Sequence, residues 1–425
     1  MGSKKLKKSI LPYVGLGISV IGSIGVLSTA NAATTPITTI TLWESHNGGP
    51  VAASEEYLVN WFNRTHPSIH VTIDITKASK KALGALAAGD PPVLAEISHY
   101  DGSFLNAHAL VSLNPYLKGQ KSNFYHSTWV NGEVNGQHYR IMADAKVSQF
   151  TYNIKMFQQA GIHQIPQTWT ELANDLRLIK EKIPGVVPLA YKDSTAHIIP
   201  PFLANGGRLF MPGSKQTKAD FLSHAALNTF TFFRKLYQSH EMIFSHGANI
   251  RSDFAAGKIA IADGTSAGYA KILDAVNNKF PVGVFSYPKG TSGHTANLLQ
   301  GLGFVIMVNH TSAQVNAAAT FINWWFSPAP QVYWGEHSGF PPETIKAIQK
   351  MPASYINSHP GTKVSIAALA SPYTIPRPNV GAYKEVQSVI DSYFYQAVTG
   401  QISVKSALTQ LQQQANAYLS GQTQL

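Results

Sequence analysis

The feature that most limits what this chain can become is an alternation of short β-branched or apolar runs with helical spacings. It begins near residue 37 and is taken up again near residue 148. The run 37–43 reads as a strand, and Asn47-Gly48-Gly49-Pro50 breaks it. Residues 55–63 place Leu58, Val59 and Phe62 at helical spacing. Ile69–Ile75 alternates as a second strand, 80–88 is an Ala/Leu-rich helix stopped by Gly89-Asp90-Pro91-Pro92, and 93–97 is a third strand. That order predicts an α/β domain with a largely parallel sheet.

The later series predicts strands over 148–153, 186–191, 258–262 and 304–308, with helices over 169–179, 225–240 and 313–326. Helices over 385–399 and 403–420 close the chain. There is no internal repeat, no low-complexity tract and no Ser/Gly-rich linker. With 425 residues there is room for two domains of about 100–200 residues each, joined by short crossing strands.

The start of the chain is an address. Lys4-Lys5-Leu6-Lys7-Lys8 precedes an apolar run over 10–27 and the A-x-A site Ala30-Asn31-Ala32. The expectation is an export signal over 1–32 and a mature end at Ala33, in the periplasm or outside the cell, at the outer face of the cytoplasmic membrane. The apolar run approaches the shortest membrane spans, so retention as an anchor is the other reading. Cysteine is absent. That excludes disulfides, thiolate metal sites, a cysteine nucleophile and a lipid-modified cysteine tether.

Charged residues are 13% of the chain, about half of the ~25% usual in globular domains, and acids are scarcest, 22 against 33 Lys and Arg. The basic residues are scattered, with no run of five, so no nucleic-acid footprint is expected. Few carboxylates fit an exterior, acidic working environment, where titrating acids would destabilise a fold. The histidines show no HExxH or other close ligand spacing, so neither a metal nor a cofactor is expected.

Several segments, in order over essentially all of the mature chain, carry a family resemblance. They are Ile40-Thr41-Leu42-Trp43 with Phe62-Asn63-Arg64-Thr65-His66-Pro67, Ala88-Gly89-Asp90-Pro91-Pro92-Val93, and Tyr152-Asn153-Ile154-Lys155-Met156-Phe157 running on to Pro166-Gln167-Thr168-Trp169. Phe254-Ala255-Ala256-Gly257-Lys258-Ile259, Gly301-Leu302-Gly303-Phe304 and Gly339-Phe340-Pro341 complete the set. The chain resembles the extracellular solute-binding proteins of ABC importers that take maltose, other sugars and glycerol-3-phosphate. The Trp43 segment and Pro376-Arg377-Pro378-Asn379 lean toward the glycerol-3-phosphate branch.

The resemblance implies a two-lobed periplasmic-binding-protein-like α/β fold with three interlobe crossings (class II topology), near Lys146, Tyr287 and Phe326. Lobe one would hold 33–146 and 287–328, and lobe two 147–286 and 329–425. It implies a monomer that binds a sugar, polyol or glycerol-phosphate derivative between the lobes and delivers it to the importer's transmembrane subunits, without bond chemistry.

Polyhydroxyl solutes need aromatic faces and planar polar groups in a cleft, at loops beyond the carboxyl ends of strands. Those loops nominate Glu44, Ser45 and His46 after the first strand, His99 and Tyr100 after the third, and Asp144 and Lys146 at the first crossing. The first two loops have a solvated turn as their plain alternative, and Asp144 with Lys146 a hinge ion pair. Tyr191 offers an aromatic platform beside Asp193; Thr265, Ser266 and Tyr269 lie between a strand and a helix. Gly301 and Gly303 permit close backbone approach, to a ligand or within a turn before a buried strand. Phe340 and Tyr383 are better platforms than Trp169, Trp324 and Trp325, which sit at buried helix positions. Arg377, held between prolines, would offer a fork to phosphate or carboxylate, with a surface ion pair as its alternative.

One rival is enzymatic. Gly264-Thr265-Ser266-Ala267-Gly268 matches G-x-S-x-G, and Asp274 or Asp391 with His294, His310, His337 or His359 would complete a hydrolase order around Ser266. That fold needs several strands before the elbow in one continuous sheet, and an oxyanion loop near it. An exported wall-binding protein is a further alternative.

Overall fold

The computed structural model describes residues 36–98, 102–245 and 247–421. The segment read as an export signal, and His99 and Tyr100, lie outside the described residues. Along the chain come β1 (Thr38–Glu44), α1 (Gly49–Thr65), β2 (Ile69–Ile75), α2 (Ala78–Ala87), β3 (Leu94–Ile97) and β4 (Ile141–Met142). β5 (Ser148–Asn153), α3 (Trp169–Lys182), β6 (Val187–Tyr191), α4 (Thr195–Ala204), α5 (His224–Gln238), β7 (Met242–Phe244) and β8 (Ile259–Thr265) follow. Then come α6 (Ser266–Val276), β9 (Val282–Ser286), β10 (Gly303–Ile306), α7 (Ser312–Trp325), α8 (Pro328–His337), α9 (Tyr383–Thr399) and α10 (Val404–Ser420).

Local chemistry sets several of these boundaries. Thr168 caps α3 by accepting from the Glu171 N–H while Glu171 reaches back, and Thr311 with Gln314 repeats the device on α7. Gly48 and Gly49 take φ of +137° and +74° to turn from β1 into α1, and Pro50 stands in the first turn, where its missing N–H costs nothing.

The strands form two five-stranded sheets, β2-β1-β3-β10-β4 and β9-β5-β8-β6-β7. β1 pairs in parallel with β2 from Thr38 opposite Ile69 to Glu44 opposite Ile75, and in parallel with β3. β10 is antiparallel to both β3 and β4, and β5 is antiparallel to both β8 and β9. Each sheet is therefore mixed rather than largely parallel. The sequence periodicity could not show this, because β10 reaches the first sheet only after the chain has built the second.

Each sheet carries its own core. The first gathers Leu42, Phe62, Phe304, Phe321, Trp325 and Trp334; the second gathers Phe150, Tyr191, Phe233, Tyr287 and Phe394. Trp169 and Trp325 are core residues and Trp324 packs half-buried against the first cluster, as their helix positions suggested. α9 and α10 lie on the second cluster. α8 and Phe340, by contrast, belong to the first: Trp334 and Phe340 are buried there, and Tyr333 stacks on Tyr57 of α1 at 4.2 Å. Trp334 and Phe340, just past 328, thus pack with the first sheet, whereas the resemblance implied that 329–425 would join the second lobe. Burying such aromatic side chains is worth roughly 1.5–3 kcal/mol each, enough to hold this stretch there.

Candidate functional site: a buried acid cluster beside the junction of two lobes

Strand alternation places the first functional side chain. Ile40, Leu42 and Glu44 share the buried face of β1, so the last position on that face presents a carboxylate to the interior. Glu55 follows the same logic on α1, where it lies buried with Leu58, Val59 and Phe62. Glu96 is buried in β3 opposite Phe304. These three carboxylates, from three elements, converge on His46. Its Nδ1 stands 3.1 Å from Glu55 Oε2, 3.4 Å from Glu44 Oε2 and 3.6 Å from Glu96 Oε2. Its Nε2 lies 3.3 Å from Asp144 Oδ2. Among the described residues, these four carboxylates have no ion-pair partner except His46.

The electrostatics follow from burial. It raises the Glu55 carboxyl to about 8 against the pull of His46, and raises Glu96 further above the carboxylate range, with Glu55 adding to it. Glu44 is held low: burial would raise it, but hydrogen bonding with His46 and Glu55 outweighs that, including the His46 N–H donated at 2.7 Å. The His46 imidazole is raised although burial opposes its charge, because Asp144, Glu44 and Glu55 all stabilise the protonated ring.

Further candidate groups lie near this cluster. The Leu302 N–H donates to Asp144, and the Ala145 N–H donates to buried Glu343. Lys146 exchanges backbone hydrogen bonds with Gln300 at 3.0 Å, and its Nζ stands 6.0 Å from the Phe340 ring centroid. Phe340 in turn stacks on Trp334 and meets His46 edge-on at 6.4 Å. A Cβ on Gly301, whose φ is +136°, would strike Asp144, and one on Gly303 would strike Arg140 and the Ile141 carbonyl. Both glycines therefore serve chain packing around the site. Arg377 is partly buried and Tyr383 buried, within electrostatic reach of one another, and Arg377 also feels Asp144. Arg377 Nε and the Tyr383 hydroxyl have no hydrogen-bond partner among the described residues. Arg377 is thus no surface ion pair; with Pro376 and Pro378 it lines a cavity of about 530 Å³ that also touches Glu133 and Lys215.

The bacterial extracellular solute-binding protein family matches residues 58–361. The chain belongs to this family. Solved structures agree on the fold of this solute-binding protein. The cyclic α-maltosyl-1,6-maltose binding protein of Arthrobacter globiformis is similar at TM-score 0.80 and 18% identity, over 91% of this chain and 100% of that one. The sugar-binding protein MalE of Xanthomonas citri is similar at 0.79 and 19%, over 90% and 98%. UgpB of Mycobacterium tuberculosis, solved with glycerophosphocholine, is similar at 0.77 and 21%, over 90% and 98%. Comparison with curated proteins gives no match.

The family is one of binders, and the hydrolase reading falls with it. The Ser266 hydroxyl is buried and accepts from the Val147 N–H at 3.3 Å, with no histidine bonded to it among the described residues. Thr265 is the N-cap position of α6, but its side chain makes no cap bond.

Tyr191 corrects an expectation. The second core encloses it, and its hydroxyl donates to the His197 carbonyl at 2.6 Å, so it is no platform in this conformation. Strand alternation turned it inward. Tyr269 is half-buried against Gly361, and Asp193 lines a shallow hollow beside Asp391. Phe340 is as much core as lining. The Ser45 hydroxyl donates to the Thr76 carbonyl, away from the cluster.

Sequence reasoning missed Glu55, Glu96 and Glu343. The signal for Glu96 was present, as a lone acid inside the apolar strand 93–97. The histidine spacing indicated no metal site. The fold nevertheless brings Glu44, His46, Glu55 and Glu96 together, with one ligand-capable atom from each lying within 4.8 Å of the others.

Proposed function

We propose that the chain is the exported solute-capturing component of an ABC importer, working as a monomer at the outer face of the cytoplasmic membrane. In this reading it closes two lobes on a sugar, oligosaccharide or glycerol-phosphate-type solute and presents the closed form to the transmembrane subunits. The lobes join at crossings near Lys146, near Tyr287 and beyond Phe340. His46, Asp144, Lys146 and Phe340 line the solute from the first lobe; Arg377 and Tyr383 line it between them.

The observation that carries this reading is the pair of buried polar atoms without partners among the described residues, Arg377 Nε and Tyr383 Oη. Buried polar groups are almost always hydrogen-bonded, and a polar solute supplies the missing partners. Family membership and the sugar and glycerophosphocholine ligands named for the similar structures support the solute class.

The test is a thermal-shift screen of the full chain against sugars, maltooligosaccharides, polyols and glycerophosphodiesters, followed by calorimetry on the hits. One solute should bind one-to-one and saturate. Arg377→Ala should weaken an anionic solute about tenfold or more, the loss of a charge-assisted bond. A panel with no hit, or unchanged affinity in that variant, would overturn the reading or this residue's place in it.

A further inference from the structure

Solute capture gives no task to Glu55 or Glu96, which lie inside the first lobe. Carboxylates buried in such number are stable only when their charge is balanced. Glu96 Oε2 lies 3.6 Å from His46 Nδ1 yet has no hydrogen-bond partner among the described residues, and Glu55 Oε1 has none there either. His46 is held as a metal-binding imidazole usually is: one ring nitrogen faces the converging oxygens, and the other faces a carboxylate, Asp144, that would fix its orientation.

We propose that Glu44, His46, Glu55 and Glu96 bind one divalent transition ion of the zinc or manganese class, with Asp144 bracing the histidine. With metal–ligand bonds of about 2.0–2.2 Å, neighbouring donors in a tetrahedral shell stand roughly 3.3–3.6 Å apart. The separations from Nδ1 to the three glutamate oxygens, 3.1, 3.4 and 3.6 Å, lie near that spacing. An imidazole among few donors favours zinc or manganese over calcium or magnesium, which prefer oxygen-only shells or retained water. The ion would tie β1, α1 and β3 at the edge of the proposed solute chamber.

The experiment uses the full chain without a histidine tag, stripped with EDTA and titrated separately with Zn²⁺, Mn²⁺, Ca²⁺ and Mg²⁺ in the absence of solute. One equivalent of Zn²⁺ or Mn²⁺ should bind and raise the melting temperature, Mn²⁺ with a protein-bound electron-spin signal. Ca²⁺ and Mg²⁺ should bind far more weakly. Glu96→Gln, nearly isosteric, should weaken the ion by about 100-fold or more, and Asp144→Asn by about 10–100-fold. His46→Gln, at the most exposed position of the cluster, is the second variant should Glu96→Gln fold poorly. No stoichiometric uptake by the unmodified chain, or unchanged affinity in these variants, would overturn the proposal. The solute screen is a separate measurement, so failure of one leaves the other standing.

Discussion

Two histidines, one buried and one partly exposed, sit in contrasting polar settings. In the second lobe His197 Nδ1 lies 2.9 Å from Asp263 and 2.9 Å from the Tyr287 hydroxyl, and Asp263 also accepts from the Lys192 N–H at 3.0 Å. Each of these groups has a partner, and charge is limited to one acid against one imidazole. In the first lobe His46 faces four acids, and among the described residues orphaned oxygens remain on Glu55 and Glu96. A closed network rigidifies a core; an open one of excess charge requires something from outside. The first kind is scaffold and the second is a site.

The largest expected effect breaks the scaffold. Asp263→Ala should cost about 3–5 kcal/mol in urea unfolding, because it removes the buried acceptor that His197, Tyr287 and the Lys192 N–H share. A loss below 1 kcal/mol would mean that the second network is not the structural one.

Asp391 is the intermediate case. It accepts from the Thr195 N–H and hydroxyl, yet burial lifts its carboxyl to about 6 despite those bonds. Its pKa is raised above the unfolded value, so its stabilising contribution is complete at acid pH and is lost as pH rises through about 6. Stability should fall between about pH 4 and 7, by up to about 3 kcal/mol from this residue, and Asp391→Asn should flatten the profile. Asp175, lifted to about 6 by burial and by Glu171, acts in the same direction. A melting-temperature maximum near neutrality would remove the link between scarce acids and an acidic setting.

The smallest effect sharpens the contrast. In metal-free protein Glu96→Gln should change stability by less than about 1 kcal/mol at neutral pH, since burial already keeps that carboxyl protonated and glutamine is its neutral near-isostere. A large loss for Asp263→Ala beside almost none for Glu96→Gln is the signature of scaffold against proposed site.

Much of the fold was legible before any coordinates. The strands at 69–75 and 148–153 have the ends that the alternation predicted, and most other elements differ by only a few residues. Of the candidate site, the loop after β1 and the turn before β5 were legible, because ligand loops follow strands. Tyr191 was misjudged because it stands at a strand's end, and period-two alternation does not say which face a core will claim. Glu55 escaped notice because beside Glu56 it looks like any polar start to a helix.

The chain's own order of residues determined the alternation of elements, the capped helices and the apolar stripes that make two cores, because these depend on neighbours a few positions away. Only the tertiary structure decided that β10 runs antiparallel into the first sheet and that Phe340 packs with that sheet. It also decided that acids from positions 44, 55, 96 and 144 meet one imidazole. Those outcomes depend on distant segments brought together by packing, and charge clustering is a property of positions in space that no local pattern records.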